Sequence, residues 1–326
     1  MLTGLTPRRL QYWDETDFIR PSVAARLGRG SPRLYSFSDL VQLRVAAQLR
    51  DLVSLQCLRR LRTVLDIRAP FASVRFGVTP TGEVAFLDEE LAAGEVETSP
   101  LGLPRLISGN VASVFSVTTP EGRRYAVRCF VRAFDDQALR YEVISAHLAG
   151  VQSAWRVPFE YVPEGIFVFQ QILPIVKMAW ADGTALDNFV ETNLWNGHIL
   201  AETAVQFAGV LEDLRHHGIA HGDLQHGNIL VAPTGHLRLI DYDGMFVPAL
   251  AGVPGNELGH RNYRHPSRQL EEFGPWLDNF AGWVIYLSLA ALSIDPLLWG
   301  RLDGGDERLL FREEDFVDPE SSEVFD

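Results

Sequence analysis

Two acidic residues and one asparagine in the middle of the chain have the spacing of a phosphoryl-transfer site. Asn228 follows Asp223 by five residues, and Asp241 follows Asn228 by thirteen, with apolar runs between them. Transfer of a γ-phosphoryl group needs Mg²⁺, held by carboxylate and amide oxygens, and a second carboxylate that orients the attacking hydroxyl. We therefore predict that Asp223 is the catalytic base and that Asn228 and Asp241 are catalytic metal ligands.

The residues around this set predict the element that positions it. Apolar runs at 229–231 and 237–240 are separated by a turn sequence that contains Pro233 and Gly235. This pattern is typical of a β-hairpin, which would hold the three side chains on a rigid base. The alternative is a hairpin with solvent-exposed acids nearby, and it requires three residue types and two spacings to agree by chance.

The loop 221–228, followed by Asp241, resembles the catalytic loop and the metal-binding Asp of the protein-kinase-like superfamily. The resemblance covers about residues 105–300. It implies an α+β, bilobal protein-kinase-like fold with ATP and Mg²⁺ as cofactors. The expected N-lobe spans about 105–180 and the expected C-lobe about 181–326.

The resemblance assigns nucleotide binding to residues before the catalytic loop. Gly109 and Val114, in a strand, turn and strand predicted at 106–117, stand where the family has its glycine-rich loop. Glycine lets backbone N–H groups approach phosphates closely, but Ile107 and Ala112 replace two of the family's glycines. A plain β-hairpin is the alternative.

Ala126 and Arg128 follow, where the family has Ala-x-Lys on a strand. Arg128 keeps the positive charge of the lysine but has a different shape. Its expected partner is Glu142, on a helix predicted at 137–148; a solvent-exposed glutamate is the alternative.

Met178 and Trp180 end the second of two further predicted strands, at 159–169 and 174–180. By the resemblance they lie at the hinge that binds adenine, and a helix follows from Gly183. Assignment of the same residues to a core strand is equally consistent with the pattern.

The catalytic loop departs from the family in ways that affect control and substrate. Gly222 replaces an arginine that in many protein kinases pairs with a phosphorylated activation segment, so we do not expect that mode of control. Gln225 replaces a lysine. The His-Gly-Asp form also occurs in aminoglycoside and sugar kinases, which leaves the substrate class open. Asp243 either binds a second metal or caps the turn at Gly244, and we favour the cap.

Residues 278–284 resemble the buried helix whose Asp anchors the catalytic loop, and residues 255–266 resemble the end of a short activation segment. With residues 240–245, they look like a bacterial kinase-like branch (YegI-type) associated with tellurium-resistance gene clusters. The branch implies a protein substrate and, as neighbours, a von Willebrand A-type protein and a metal-dependent protein phosphatase. Only about 30 residues follow Asp295, so we expect a small C-lobe or a chain that is cut short.

Residues 1–68 are predicted to be helical and resemble a MerR-type winged helix-turn-helix. By this resemblance Arg8, Arg9 and Arg33 are candidate DNA-phosphate contacts. Only three residues precede Gly4, where the family has its first helix, so a degenerate module kept for docking or for a homodimer is the alternative. The resemblance rests on the segments 4–13, 19–21, 33–36 and 40–49.

Charge is distributed unevenly along the chain. Residues 1–68 contain 12 Arg and 6 acidic residues, a balance of +6, whereas the remainder has a balance of −19. The basic end would attract DNA weakly and in a salt-dependent way even without base recognition. Residues 69–104 are predicted to be a β-hairpin connector, with strands at 74–78 and 83–87, that ends in an acidic loop at 88–100.

The remaining composition excludes several classes of protein. Cys57 and Cys129 are far apart and lack metal-ligand spacing, which argues against a disulfide framework or a zinc site. The longest apolar run, 280–294, suits a buried helix rather than a membrane span, so we predict a cytoplasmic protein without a membrane segment. For four histidines near the catalytic loop we favour a scaffolding role over zinc binding. They are His216, His217, His221 and His226.

The favoured hypothesis is an atypical ATP/Mg²⁺-dependent protein serine/threonine kinase of bacterial signalling or stress response. The first alternative is a nucleotide-binding pseudokinase coupled to a DNA-binding or docking module, favoured by Arg128, Gln225 and the depleted glycine loop. The second is a transcription regulator in which the kinase-like part senses a ligand.

Overall fold

The computed structural model describes residues 10, 13, 21 and 43 and the ranges 84–98, 106–108, 112–130, 136–168, 171–305 and 307–325. Nearly all of the predicted helix-turn-helix lies outside these residues, as does the hairpin strand at 74–78. Leu10, Trp13 and Leu43 are helical as predicted, and Trp13 and Leu43 are buried. No helix in the described part of the chain is long and apolar enough to cross a bilayer.

The chain divides into two compact units, of which the first comprises residues 1–133 and 162–177. Its framework is a seven-stranded sheet with the order β1-β6-β7-β5-β4-β2, in which β3 also pairs with β4. The pairs β1–β6, β2–β4, β3–β4 and β4–β5 are antiparallel. The strands are β1 (Val84–Phe86), β2 (Glu95–Val96), β3 (Leu106–Ser108), β4 (Ala112–Thr118), β5 (Arg124–Phe130), β6 (Phe159–Val168) and β7 (Gln171–Ala179).

One face of this sheet carries the core of the first unit. Branched and aromatic side chains alternate along β4 and β5, so that Phe115 and Val127, which lie opposite each other, both point into the core. The two strands predicted within 106–117 are confirmed as β3 and β4, and the turn predicted between them lies outside the described residues. The core cluster consists of Phe86, Leu91, Val117, Val127, Ile166 and Ile175.

The prediction of an acidic loop at 88–100 is wrong, because the described part of this range forms a helix and a strand. Asp88 accepts a hydrogen bond from the backbone N–H of Leu91 at 3.0 Å and so caps a one-turn helix, α1 (Glu89–Ala92). Leu91 is fully buried, and β2 then pairs with β4. The described part of the predicted connector therefore adds a helix and two strands to the first unit.

Lys177, the only lysine of the chain, explains why acidic residues are tolerated there. Its ammonium group lies 2.9 Å from Asp88 and 3.2 Å from Glu90, and 5.6 Å from the centre of the Tyr125 ring. A buried ammonium needs such partners, because an isolated charge is strongly disfavoured in a protein interior.

The second unit comprises residues 134–161 and 178–326. A small antiparallel sheet with the order β10-β9-β8 lies beside a set of helices. The strands are β8 (Thr184–Ala185), β9 (Ile229–Val231) and β10 (Leu237–Leu239). The helices are α2 (Gln137–Ala149), α3 (Leu186–Asn193), α4 (Gly197–His216), α5 (Asp278–Ile294), α6 (Leu297–Arg301) and α7 (Glu313–Val317).

Helix α2 confirms the helix predicted at 137–148, but it groups with the second unit rather than with the strands around it in sequence. The buried guanidinium of Arg140 donates to Asp136 at 2.6 Å and to the carbonyl oxygen of Pro254 at 2.5 Å. It also lies 5.5 Å from the centre of the Phe273 ring. These contacts attach α2 to the segment that follows β10.

Candidate active site

The predicted catalytic loop lies at the end of α4 and is held by the first turn of α5. Asp278 accepts hydrogen bonds from the backbone N–H groups of His221, at 2.5 Å, and Gly222, at 2.9 Å. The predicted anchoring role of Asp278 is thereby confirmed. Burial raises the pKa of Asp278, while His221, the two N–H groups and Arg268 act in the opposite direction.

The carboxylate of Asp223 is fixed at both oxygens. Oδ2 accepts a hydrogen bond from the side-chain amide of Asn228 at 3.0 Å, and the amide of Gln225 lies 3.4 Å from the same oxygen. Oδ1 accepts the backbone N–H of His260 at 2.6 Å. Asn228 Nδ2 also donates to the backbone oxygen of Asp223 at 2.9 Å. Because Nδ2 is committed to Asp223, Oδ1 is the Asn228 atom that could bind a cation.

Asp241 lies in a left-handed backbone conformation, with φ of 67°. Such a conformation is uncommon for a residue other than glycine, disfavoured by about 1–3 kcal/mol, and frequent at functional sites. The residue before it links this turn to the catalytic loop. Ile240 donates its N–H to the Asn228 carbonyl at 3.0 Å, and its own carbonyl accepts from His221 Nε2, also at 3.0 Å. Hydrogen bonds therefore link Asp223, Asn228 and the residue before Asp241.

The predicted hairpin below these residues is confirmed. In the antiparallel pair β9–β10, Ile229 lies opposite Leu239, so that Asn228 and Asp241 flank the same end of the hairpin. The side chains of Ile229 and Leu239 are fully buried. Their burial fixes the hairpin, and the hairpin fixes the two predicted metal ligands.

The two residues after Asp241 have structural partners. Tyr242 is buried, which raises the pKa of its phenol; it donates to the Leu239 carbonyl and accepts from the Val157 N–H, both at 2.8 Å. The Asp243 carboxylate accepts a hydrogen bond from Tyr141 of α2. The prediction that Asp243 caps a turn or binds a second metal did not include this contact with α2.

Histidines near the loop act as hydrogen-bonding groups. His221 bonds to the Ile240 carbonyl, and His226 Nδ1 lies 2.6 Å from the hydroxyl of Tyr263. These contacts give the two side chains the scaffolding role that the sequence favoured. Among the described residues, no group of three or more His, Cys, Asp or Glu side chains is arranged to hold a metal ion by itself.

Gly222 gives a direct test of how tightly the loop is packed. It has φ of 81°, and a Cβ atom there would overlap the carbonyl oxygen of Gly244. We expect Gly222→Ala to destabilise the protein by about 2–4 kcal/mol, because a left-handed alanine is strained and a backbone atom must move. Gly209→Ala, at a helical glycine with open space around it, is the control and should be neutral or stabilising by up to about 1 kcal/mol. Urea unfolding measures both, and equal stability of the two variants would contradict this account of the packing.

The nucleotide-binding residues predicted in the first unit share one face of the sheet. Val114 on β4 lies directly opposite Arg128 on β5, and Ala126 is two residues from Arg128 on the same strand. All three are half-buried, on the face opposite the core residue Val127. The Arg128 guanidinium lies 5.7 Å from the centre of the Phe130 ring. Gly109 lies outside the described residues.

The other predicted site residues lie on or next to β7 and on α2. Met178 is buried near the end of β7, Trp180 follows that strand and is half-buried, and Glu142 is exposed on α2. Arg128 belongs to the first unit and Glu142 to the second, so their ion pair stays a prediction. The candidate DNA contacts Arg8, Arg9 and Arg33 lie outside the described residues.

Sequence reasoning missed two residues that hydrogen-bond to Gly222 and Asp223 in the catalytic loop. One is His260, through its backbone N–H. The other is Arg268, whose Nη1 donates to the Gly222 carbonyl at 2.9 Å. Burial lowers the pKa of Arg268, and the carboxylates of Asp278, Asp223 and Glu257 oppose this shift. The only signal for either was the resemblance of 255–266 to an activation segment, which does not reach Arg268.

Comparison with known proteins identifies the N-terminal region. Residues 1–64 match the family described as MerR HTH family regulatory protein. The chain is 42% identical over 50 residues to uncharacterized HTH-type transcriptional regulators of Mycobacterium bovis and Mycobacterium tuberculosis. These matches span 15% of this chain and 22% of each relative, about a fifth of the relatives' length. The chain therefore carries a MerR-family helix-turn-helix module at residues 1–64.

Proposed function

We propose that the part of the chain after the MerR-family module is an atypical, YegI-type protein serine/threonine kinase that uses ATP and Mg²⁺ in bacterial signalling. The observation that carries the proposal is that Asn228 is hydrogen-bonded to Asp223 and, through its backbone carbonyl, to Ile240, the residue before Asp241. The Asp223 carboxylate accepts hydrogen bonds at both oxygens, one of them from the side-chain amide of Asn228. Asp241 has a left-handed backbone conformation. Phosphoryl transfer needs these groups: one carboxylate to orient the hydroxyl, and an amide and a carboxylate oxygen to bind Mg²⁺.

The residues of the chain have distinct tasks in this mechanism. Asp223 Oδ1 accepts one hydrogen bond, from His260, and so retains a lone pair that can orient the acceptor hydroxyl and take its proton. Asn228 Oδ1 and the Asp241 carboxylate are oxygen ligands of the kind that Mg²⁺ prefers. Bound Mg²⁺ would neutralise charge on the phosphates. Arg128 would contact the phosphates from the sheet face it shares with Val114 and Ala126.

A nucleotide-binding pseudokinase is the second candidate, favoured by Arg128 and Gln225 at positions where the related kinases have lysine. Mg²⁺-dependent transfer of label from γ-labelled ATP to a protein acceptor tests the kinase proposal. Thermal stabilisation by Mg²⁺-ATP without any labelling would favour the pseudokinase. By the resemblance, a von Willebrand A-type protein and a metal-dependent phosphatase are candidate partners.

The MerR-family module supports a further proposal, that the chain binds DNA through Arg8, Arg9 and Arg33. We expect Arg8→Ala and Arg33→Ala each to weaken binding and to reduce the dependence of log K on log salt by about one charge, as for lost phosphate contacts. Arg123→Ala, which removes an exposed arginine from the first unit, is the control. Gel shifts with the full chain at several salt concentrations measure this. No retardation at low salt would contradict DNA binding and also remove the transcription-regulator alternative.

A further inference from the structure

The segment between Asp241 and α5 contains very few hydroxyl side chains that a kinase could phosphorylate. Residues 243–262 contain no Ser, Thr or Tyr. The hydroxyl groups that follow before α5 are those of Tyr263 and Ser267. Tyr263 is 3% exposed, and burial raises its pKa, so the phenol is inaccessible, whereas Ser267 is exposed. Kinase activation loops are commonly ordered by phosphorylation, through new pairs between arginine and a phosphorylated residue. This segment offers almost nowhere to add such a group.

The segment is nevertheless closely attached to the catalytic loop. The backbone N–H of His260 donates to Asp223 Oδ1 at 2.6 Å. Gly259 has φ of 72°, and a Cβ atom there would lie 2.9 Å from the Gly222 carbonyl oxygen and 3.0 Å from Asp223 Oδ1. The position of Asp223 therefore depends on the position of residues 259 and 260.

Buried polar groups attach the next residues to the rest of the second unit. The Tyr263 hydroxyl lies 2.6 Å from His226 Nδ1 and accepts the backbone N–H of Leu309 at 2.9 Å. Asn262 donates to the Glu307 carbonyl at 2.9 Å and accepts from the Glu313 N–H at 3.0 Å. These bonds order the segment with groups of the chain itself.

Arg268 attaches the end of the segment to the catalytic loop. Its Nη1 donates to the Gly222 carbonyl at 2.9 Å, on the residue just before Asp223. Asp223, Asp278 and Glu257 are the carboxylates that act on its charge. A guanidinium placed among these acids supplies the positive charge that Gly222 and Gln225 do not provide in the loop.

We propose that Arg268 is a positioning residue that holds segment 256–268 against the catalytic loop, so that Asp223 is kept in place without phosphorylation of the segment. The proposed consequence for activity rests on the proposed kinase function, but the consequence for structure does not. If the kinase function is wrong, Arg268 still orders the loop.

The test compares Arg268→Met and Arg268→Lys with Arg261→Met in the full-length chain. Arg261 is an exposed arginine of the same segment that pairs with Glu313 and Glu314, and an ion pair of this kind contributes little to stability. We expect hydrogen exchange of the His260 amide to accelerate about tenfold or more in Arg268→Met, because its bond to Asp223 is weakened. Exchange in Arg261→Met should stay at the wild-type rate. Arg268→Lys keeps the positive charge and a hydrogen-bond donor, so its His260 exchange rate should lie between those of Arg268→Met and wild type. This variant replaces Arg268→Met in the test if the Met variant does not fold.

The activity arm separates positioning from simple loss of structure. We expect kcat for phosphotransfer to fall about 10–100-fold in Arg268→Met, with KM for ATP within about twofold of wild type and partial recovery in Arg268→Lys. Phosphatase-treated protein and Ser267→Ala should keep wild-type activity. Activity lost in either of these would overturn the proposal, as would unchanged His260 exchange in both Arg268 variants. Accelerated exchange in Arg268→Met, together with no phosphate transfer by the wild-type protein, would support the role of Arg268 and reject the kinase function.

Discussion

Asp241→Asn is expected to reduce Mg²⁺-dependent phosphotransfer by about 10³-fold while leaving the fold intact. Loss of one metal-binding carboxylate removes several kcal/mol of transition-state stabilisation. Asparagine tolerates left-handed backbone conformations well, so the positive φ of residue 241 should not add strain to the variant. The thermal midpoint should therefore change little, and steady-state rates at saturating ATP give the measurement.

Asp303→Asn is a matched control for this variant. Asp303 is the other non-glycine residue with positive φ in the described part of the chain, at 49°. It is exposed and forms only a 3.6 Å ion pair with Arg308. The same change of charge in the same type of backbone conformation should leave phosphotransfer unchanged. Equal rates in the two variants would show that Asp241 does not bind the catalytic metal.

Asp278→Ala is expected to have the largest effect on stability, about 3–5 kcal/mol. The variant leaves the N–H groups of His221 and Gly222 buried without their acceptor, and each unsatisfied group is disfavoured by about 1–3 kcal/mol. It also leaves the nearby Arg268 with less compensating charge. Urea unfolding at constant m-value measures the loss.

Two variants distinguish lost hydrogen bonds from other effects at Asp278. Asn279→Ala changes the next residue, which is exposed in the same turn of α5, and should alter stability by no more than about 0.5 kcal/mol. Asp278→Asn keeps one acceptor of similar shape and should fall between Asp278→Ala and wild type. A stability of Asp278→Ala within 1 kcal/mol of wild type would mean that the loop does not depend on this anchor.

The parts of the fold that the sequence predicted well are those with local signals. The β9–β10 hairpin follows from two apolar runs around Pro233 and Gly235, and helix α2 was predicted within a single segment, 137–148. The anchoring role of Asp278 came from the resemblance, and the structure confirms it through two hydrogen bonds.

The parts that could not be predicted depend on long-range pairing. β2 is two residues long and gains its identity only from its pairing with β4. The strand at β1 was predicted, but its partner β6 lies far away in sequence. The acidic residues around α1 looked like an exposed loop, because their partner Lys177 is far away in sequence. The bond from Arg268 to Gly222 spans 46 residues and ends on a backbone carbonyl, which carries no residue-type signal. The hydrogen bond between Tyr141 and Asp243 could not be predicted either, because the two residues are 102 positions apart in sequence.

The most direct test of the kinase proposal is the initial rate of Mg²⁺-dependent transfer from γ-labelled ATP to a protein acceptor, by the wild-type chain and by Asp223→Asn. The variant keeps an oxygen at the position bonded to His260 but removes the carboxylate that would take the proton of the hydroxyl. We predict measurable transfer by the wild-type chain and a rate about 10²–10⁴-fold lower in the variant, the usual contribution of a general base. Equal transfer by both proteins would contradict the assignment of Asp223 and, with it, the proposed active site.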